Sequence, residues 1–272
     1  MVAGMRNLRI GFSLIGLSLF AIMVLRFVPG RWLGDASFAN STVSYVVLGL
    51  IFYVAVNFLG LSSLEYFRLP RLHVKSVVAI LVAAVFVFAE ITNRDIERKS
   101  GSIAIGGVIF LLAIGFGEEM FSRAFTFGVL RKFGNMPAIF FSSLLFGLMH
   151  LNLYVGSQWD PWAAYWHVVN TFAFGIFICA LLILTRSIWL PIIFHALSNW
   201  GIVFAKERDI PTGRHDWGVG FWEGITVPLA NVSTYIGCAI LLLWIERGSV
   251  PAWVHRLPLK WKLVQPEIAS TA

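Results

Sequence analysis

Charged side chains are scarce in this chain of 272 residues: Asp, Glu, Lys and Arg together make up 13% of it, whereas 58% is hydrophobic. Soluble domains typically carry about 25% charged and about 45–50% apolar residues. The mean hydropathy of +0.79 departs from the soluble range in the same direction. The composition therefore disfavours an ordinary soluble globular protein and indicates a polytopic membrane protein.

Cysteine is scarce as well, and this excludes two kinds of site. The only two cysteines, Cys179 and Cys238, each lie inside an apolar segment, with no second Cys or His at ligand spacing. Such isolated cysteines predict neither a disulfide framework nor a cysteine-based zinc site. We interpret both as small buried side chains.

Several established catalytic and nucleotide-binding motifs are missing. The chain contains no H-E-x-x-H, no G-x-S-x-G, no Walker A motif and no G-x-G-x-x-G. These patterns mark zincins, serine hydrolases and nucleotide-dependent enzymes. Ordinary members of those three classes are therefore disfavoured.

The excess of basic over acidic residues is consistent with a membrane protein. The formal net charge is +7 and the isoelectric point is near 9.7, but the Lys and Arg residues are scattered between apolar segments. An excess of basic residues in the loops on one side of a membrane produces the same balance. We therefore expect a lipid bilayer and no nucleic acid as partner.

The distribution of basic residues between loops predicts the orientation of the chain. Alternate loops carry twelve Lys and Arg on the side of the termini and eight on the other. Because cytoplasmic loops carry the excess of Lys and Arg, this predicts cytoplasmic termini and an inner or plasma membrane location.

Long apolar runs predict the fold. A helix needs about 20 predominantly apolar residues to cross a bilayer, and on this criterion about eight candidates occur. They lie near Ile10–Val28, Val43–Leu64, Val74–Ile91, Ile103–Leu130, Pro137–Leu151, Ala163–Leu184, Trp189–Ala205 and Trp222–Ile245. The expected fold is an all-α polytopic membrane helical bundle of about eight transmembrane helices.

The chain is expected to form one integral membrane domain with three parts. Residues 1–102 hold the N-terminal transmembrane helices, and residues 103–206 hold the core helices that carry the polar residues described next. Residues 207–272 comprise a polar loop, the last transmembrane helix and a basic cytoplasmic tail.

Three charges interrupt the fourth apolar run, in the stretch GEEMFSRAF. One charged side chain at the bilayer centre costs about 2.5–3.5 kcal/mol on insertion scales, so such residues normally face a bundle interior or a watery cavity and mark a functional path. Glu119 and Arg123 are four residues apart and are expected to pair on one helix face. Glu118 has Ser122 at the corresponding position, so it is left as the free carboxylate. A carboxylate of this kind suits general-base work on a water molecule.

Further polar residues lie at membrane depth on two other predicted spans. His150 ends the fifth span, and His195 and Asn199 lie four residues apart on the seventh. The last two side chains are expected to point at developing negative charge on a carbonyl oxygen. His150 is expected to hold the same water as Glu118 or to bind a metal. Each residue alone also fits a structural reading, as an ion pair or a satisfied core side chain. Their combination on three spans favours one shared site.

These residues fall in patterns similar to those of a known family. Glu118-Glu119-x-x-x-Arg123, Phe146-x-x-x-His150 and His195-x-x-x-Asn199 resemble the three motifs of the CAAX protease and bacteriocin-processing family, and they occur in the same order. The family comprises integral-membrane endopeptidases related to the CAAX prenyl endopeptidase of eukaryotes. The resemblance covers about residues 117–200. Ala124 stands where the family often has Gly.

The resemblance implies a helical bundle in which peptide bonds of a membrane-associated peptide or protein are hydrolysed. By position, Glu118 would activate the attacking water with help from His150. His195 and Asn199 would hold the oxyanion, and Glu119 would orient Arg123 and the motif helix. The family is described both as metal-dependent and as metal-free. We expect metal-free chemistry without a cofactor, with zinc on Glu118, His150 and His195 as the alternative.

Two other function classes compete with the endopeptidase. Relatives are associated with bacteriocin self-protection, so a non-catalytic immunity-type binding protein is one alternative. A proton-coupled transporter is the other, because intramembrane Glu and His residues relay protons in such proteins. The inverted repeats typical of transporters are not evident in this sequence.

Overall fold

The computed structural model describes residues 9–16, 38–70, 73–92, 95–151, 161–206 and 223–247. Within these ranges the chain is helical, without a β-strand apart from an isolated antiparallel bridge between Ile96 and Ala205. The helices are α1 (9–16), α2 (Phe38–Leu59), α3 (Val74–Thr92), α4 (Gly101–Glu119), α5 (Phe127–Leu130), α6 (Asn135–Met149), α7 (Pro161–Thr185), α8 (Trp189–Ser198), α9 (Trp200–Phe204) and α10 (Glu223–Arg247).

Four stretches of the described chain are long and apolar enough to cross a membrane. They are Ser41–Leu59, Gly101–Phe133, Pro161–Thr185 and Ile225–Arg247. Three shorter apolar helices accompany them, at Val74–Ala89, Asn135–Met149 and Trp189–Phe204. The predicted all-α membrane bundle is confirmed, whereas the number of eight spans stays a prediction. Most of the predicted first span and all of the polar loop at 207–220 lie outside the described residues.

The fourth predicted span does not continue as a uniform α-helix. After Glu119 the chain forms a π-helical segment over Met120–Thr126 and then returns to α-helix in α5. The Phe127 N–H donates to the Ser122 carbonyl, five residues back, which is the hydrogen bond of a π-turn. Such segments are rare and frequently occur at functional sites. Here the segment begins directly after the two glutamates.

Small residues allow α4 to pass close to two neighbours. A Cβ added at Gly115 would lie 2.5 Å from the Ile192 carbonyl oxygen on α8, and one added at Gly117 would lie 2.6 Å from the Tyr45 carbonyl oxygen on α2. Small residues at membrane helix crossings permit this close approach of backbones. The end of α4 is therefore held between α2 and α8 at the level of the glutamates.

The seventh predicted span is interrupted near its middle. Asn199, with φ −86° and ψ 10°, separates α8 from α9. Its backbone N–H still donates to the His195 carbonyl at 3.1 Å, so Asn199 follows His195 by one turn. The break therefore falls at Asn199, which together with His195 is predicted to hold the oxyanion.

Candidate active site

Glu119 and Arg123 form an ion pair in the interior of the bundle. Arg123 Nε lies 3.2 Å from Glu119 Oε2, and neither side chain is exposed. The spacing of four residues led us to expect this contact. The two atoms are not aligned as a hydrogen bond, so the attraction between them is mainly electrostatic. A buried pair of this kind holds its two charges together because neither can be released into water.

Arg123 also ties the π-helical segment to two further helices. Its Nη2 donates to the Gly175 carbonyl of α7 at 3.3 Å. The guanidinium carbon lies 4.4 Å from the centre of the Phe146 ring on α6, a cation–π distance. The buried guanidinium group of Arg123 thereby fixes the position of the π-helical segment against α6 and α7.

His195 joins the two glutamates. Its Nδ1 lies 2.7 Å from Glu119 Oε1, and its Nε2 lies 3.7 Å from Glu118 Oε2. Because the short contact requires a proton on Nδ1, the Nδ1–H donates to Glu119. The Nε2 edge of the ring consequently faces Glu118. Glu119 thus contacts both Arg123 and His195, a double role that the sequence spacing did not predict.

His150 is oriented by its own helix. The His150 Nδ1 lies 2.8 Å from the Phe146 carbonyl oxygen, to which it donates. This fixes the tautomer of the neutral ring, so Nε2 is left as the acceptor. His150 forms no ion pair with Glu118 among the described residues, and the water expected between them stays a prediction.

Asn199 lies at the break between α8 and α9. Its side chain is half-buried. In the described part of the chain its amide forms no side-chain hydrogen bond. Its oxyanion role stays a prediction.

Two residues near the predicted site were not selected from the sequence. The Tyr45 side chain, on α2, lies beside the Glu118 carboxyl group. The His167 ring, on α7, is half-buried with its centroid 5.1 Å from that of His150. Tyr45 lies in an ordinary apolar run without a motif, and His167 belongs to none of the three motifs. Nothing in the local sequence indicates that Tyr45 lies near Glu118 or that His167 lies near His150.

The described residues were also tested as a metal site. They contain no group of three or more His, Cys, Asp or Glu side chains close enough together to hold a metal ion. The choice between metal-free chemistry and zinc on Glu118, His150 and His195 stays a prediction.

Substituting Gly115 with alanine is expected to disturb the contact between Glu119 and His195. The new Cβ would meet the Ile192 backbone oxygen at 2.5 Å, and backbone cannot swing aside as a flexible side chain can. Overpacking of this kind costs about 1–3 kcal/mol. The melting temperature of Gly115→Ala, measured by thermal unfolding in detergent, should therefore be lower than that of the wild type.

Gly106 provides the matched control on the same helix. An added Cβ there would meet nothing within 4 Å. Gly106→Ala should be neutral or stabilising by about 0.5–1 kcal/mol, because alanine is the better helix residue. Equal melting temperatures for the two variants would contradict the close crossing of α4 and α8.

The fold and the buried acid–histidine group define a helical membrane protein with a polar site inside its bundle. Residues 99–201 match the family described as type II CAAX prenyl endopeptidase Rce1-like. This confirms, over that segment, the resemblance to the CAAX proteases drawn from the three motifs. The segment contains all six predicted site residues. The comparison with curated proteins finds no match.

Proposed function

We propose that this protein is an intramembrane endopeptidase that hydrolyses a membrane-associated peptide with Glu118 as the general base. The observation that carries the proposal is the contact of His195 with both glutamates, at 2.7 and 3.7 Å, inside an apolar bundle. The family match supports the same reaction class. Prenylated tails and leader peptides are the candidate substrates. The catalytic core occupies residues 103–206, in an inner or plasma membrane with both termini cytoplasmic.

In the proposed first step Glu118 takes a proton from a water molecule. The water oxygen attacks the scissile carbonyl carbon, and the carbonyl π-electrons move to its oxygen, forming a tetrahedral oxyanion. The His150 Nε2 accepts a hydrogen bond from the same water. The C–N bond then breaks, and the proton held by Glu118 passes to the leaving amine.

His195 and Asn199 stabilise the oxyanion in this scheme. When both ring nitrogens of His195 carry protons, Nδ1–H donates to Glu119 and Nε2–H is available to the oxyanion. Glu119 then stabilises the imidazolium and fixes its orientation, as a buried carboxylate does in a catalytic triad. The Asn199 amide supplies a second donor. Donors held in place before the reaction contribute the most where water is excluded.

Reconstituted protein provides the direct test of this proposal. We expect the purified wild-type chain in liposomes to cleave peptides from a membrane-anchored library containing prenylated and leader sequences, with new termini identified by mass spectrometry. Empty liposomes should leave the library intact. If the reconstituted protein releases no fragment from the library, the endopeptidase proposal is wrong.

The proposed reaction proceeds without a metal ion. Treatment of the reconstituted protein with EDTA or 1,10-phenanthroline, followed by dialysis, should therefore change the cleavage rate by less than about twofold, because the general base and oxyanion donors are side chains. A soluble zinc protease assayed in parallel should lose its activity. Loss of membrane peptide cleavage on chelation, with recovery on adding Zn²⁺, would refute metal-free chemistry.

A further inference from the structure

Tyr45 lies outside the matched segment and outside all three motifs, yet it is adjacent to the proposed general base. A Cβ on Gly117, the residue before Glu118, would lie 2.6 Å from the Tyr45 carbonyl oxygen and 3.2 Å from its ring carbon Cδ1. Both the backbone and the ring of Tyr45 therefore pack against the turn that carries Glu118. Only a residue as small as glycine allows this approach.

The Tyr45 ring is held by its neighbours so that its hydroxyl meets the Glu118 carboxyl group. The ring packs beside Phe110 with a centroid distance of 6.3 Å, in a cluster that includes Leu111 and Ala196. Its hydroxyl lies close to the Glu118 carboxyl group. On the other element that faces this carboxyl group, His195 Nε2 lies 3.7 Å from Oε2. The Glu118 carboxyl group is thus contacted by one polar group from α2 and one from α8.

The hydroxyl is not needed to hold α2 against α4. A second contact already joins these helices, because a Cβ on Gly49 would lie 2.3 Å from the Phe116 ring. Apolar side chains of α2, Phe52 and Val56 among them, are buried in one cluster with Met120 and Phe121. A phenylalanine at position 45 would keep the ring contacts with Gly117 and Phe110. The polar atom of Tyr45 therefore has a role distinct from packing.

We propose that Tyr45 is a positioning residue that holds the Glu118 carboxylate in the orientation in which it receives the proton from water. This inference rests on the proposed function. In this role the phenolic O–H donates to one carboxylate oxygen during the reaction and restricts the side-chain torsions of Glu118. A small misplacement of a catalytic group can cost about 100-fold in rate, so the hydrogen bond affects turnover more than substrate binding.

The test compares Tyr45→Phe with a matched control on the same helix, Tyr53→Phe. Tyr53 is 42% exposed, with its ring packed against Phe67 rather than against the site. For Tyr45→Phe we expect kcat to fall about 10–100-fold while KM changes less than about twofold, because only the orientation of the base is lost. The melting temperature in detergent should stay at the wild-type value. Tyr53→Phe should match the wild type in kcat, KM and melting temperature.

A second comparison shows whether the hydroxyl acts through Glu118. In a Glu118→Gln background, the residual hydrolysis measured over long incubations should change less than about twofold on adding Tyr45→Phe, because residues that act as a unit are not additive. An additional 10-fold loss in that background would overturn the inference. So would a Tyr45→Phe variant with wild-type kcat, or one whose losses come with a lowered melting temperature.

Failure of the inference is distinguishable from failure of the proposed function. If the wild-type protein cleaves membrane peptides and Glu118→Gln does so about 10³-fold more slowly, the endopeptidase proposal holds, and wild-type kcat in Tyr45→Phe then contradicts only the role of Tyr45. If the wild type itself cleaves nothing, the proposed function has failed before Tyr45 is considered.

Discussion

Hydrolysis should be lost when Glu118 is replaced by glutamine, with kcat falling by about 10³-fold or more, toward the upper end of what general-base catalysis contributes. The amide has the shape of the carboxylate but cannot accept the proton of the attacking water. The fold should persist, because the buried charge that Arg123 requires is on Glu119. Cleavage of a membrane peptide by the reconstituted variant, followed by mass spectrometry, measures the loss.

Glu65→Gln is the matched control for this substitution. Glu65 is an exposed acid that pairs with Arg131, and exposed pairs contribute about 0–1 kcal/mol. Glu65→Gln should therefore cleave at the wild-type rate. If Glu118→Gln kept a rate within about tenfold of the wild type, a general-base role for Glu118 would be rejected, because general acid–base catalysis contributes about 10²–10⁴-fold.

The largest effect on stability is expected from Arg123→Met. The substitution removes the guanidinium partner of the fully buried Glu119 carboxylate and leaves it only the contact with His195, and breaking a buried pair on one side costs about 3–5 kcal/mol. It also removes the hydrogen bond to the Gly175 carbonyl and the contact with the Phe146 ring. The free energy of unfolding in mixed micelles measures the loss.

Two further variants separate charge from packing at this pair. Adding Glu119→Gln to Arg123→Met removes the buried carboxylate charge that has lost its guanidinium, and we expect it to restore part of the lost stability, since a neutral buried group is less costly than a poorly compensated ion. Arg131→Met, which breaks the exposed pair with Glu65, should cost less than about 1 kcal/mol. Similar losses for Arg123→Met and Arg131→Met would contradict the special cost of the buried pair.

The class of fold was predictable because every residue of a membrane span must be apolar or shielded from lipid, and its backbone groups must be hydrogen-bonded. Backbone groups inside a bilayer must be satisfied locally, so a long apolar run in a chain of this composition has few alternatives to a helix. The exact helical form was not predictable. The π-helical segment at Met120–Thr126 and the break at Asn199 arise among neighbouring helices, and nothing in their local composition distinguishes them from α-helix.

The candidate site was predictable where its contacts are local and unpredictable where they are not. The four-residue spacing of Glu119 and Arg123 indicated their pair directly, because that spacing places side chains on one helix face. The contact of Glu119 with His195 joins residues 76 apart in the chain, and spacing carries no information at that range. Tyr45 could not be predicted for the same reason, because it is far from Glu118 in the sequence. Its position beside Glu118 depends on how closely α2 approaches α4.

The site pairs two acids with two bases, and this has a consequence for the electrostatics of the proposed reaction. In the proposed scheme Glu118 and Glu119 carry negative charges and Arg123 and His195 carry positive charges, so the group has no net charge when the reaction begins. When Glu118 takes the proton from water it loses its negative charge, and the tetrahedral oxyanion acquires one. The sum stays at zero throughout the step. A low-dielectric bundle, in which an uncompensated charge is costly, can therefore accommodate a charged intermediate without any net charge appearing in the membrane.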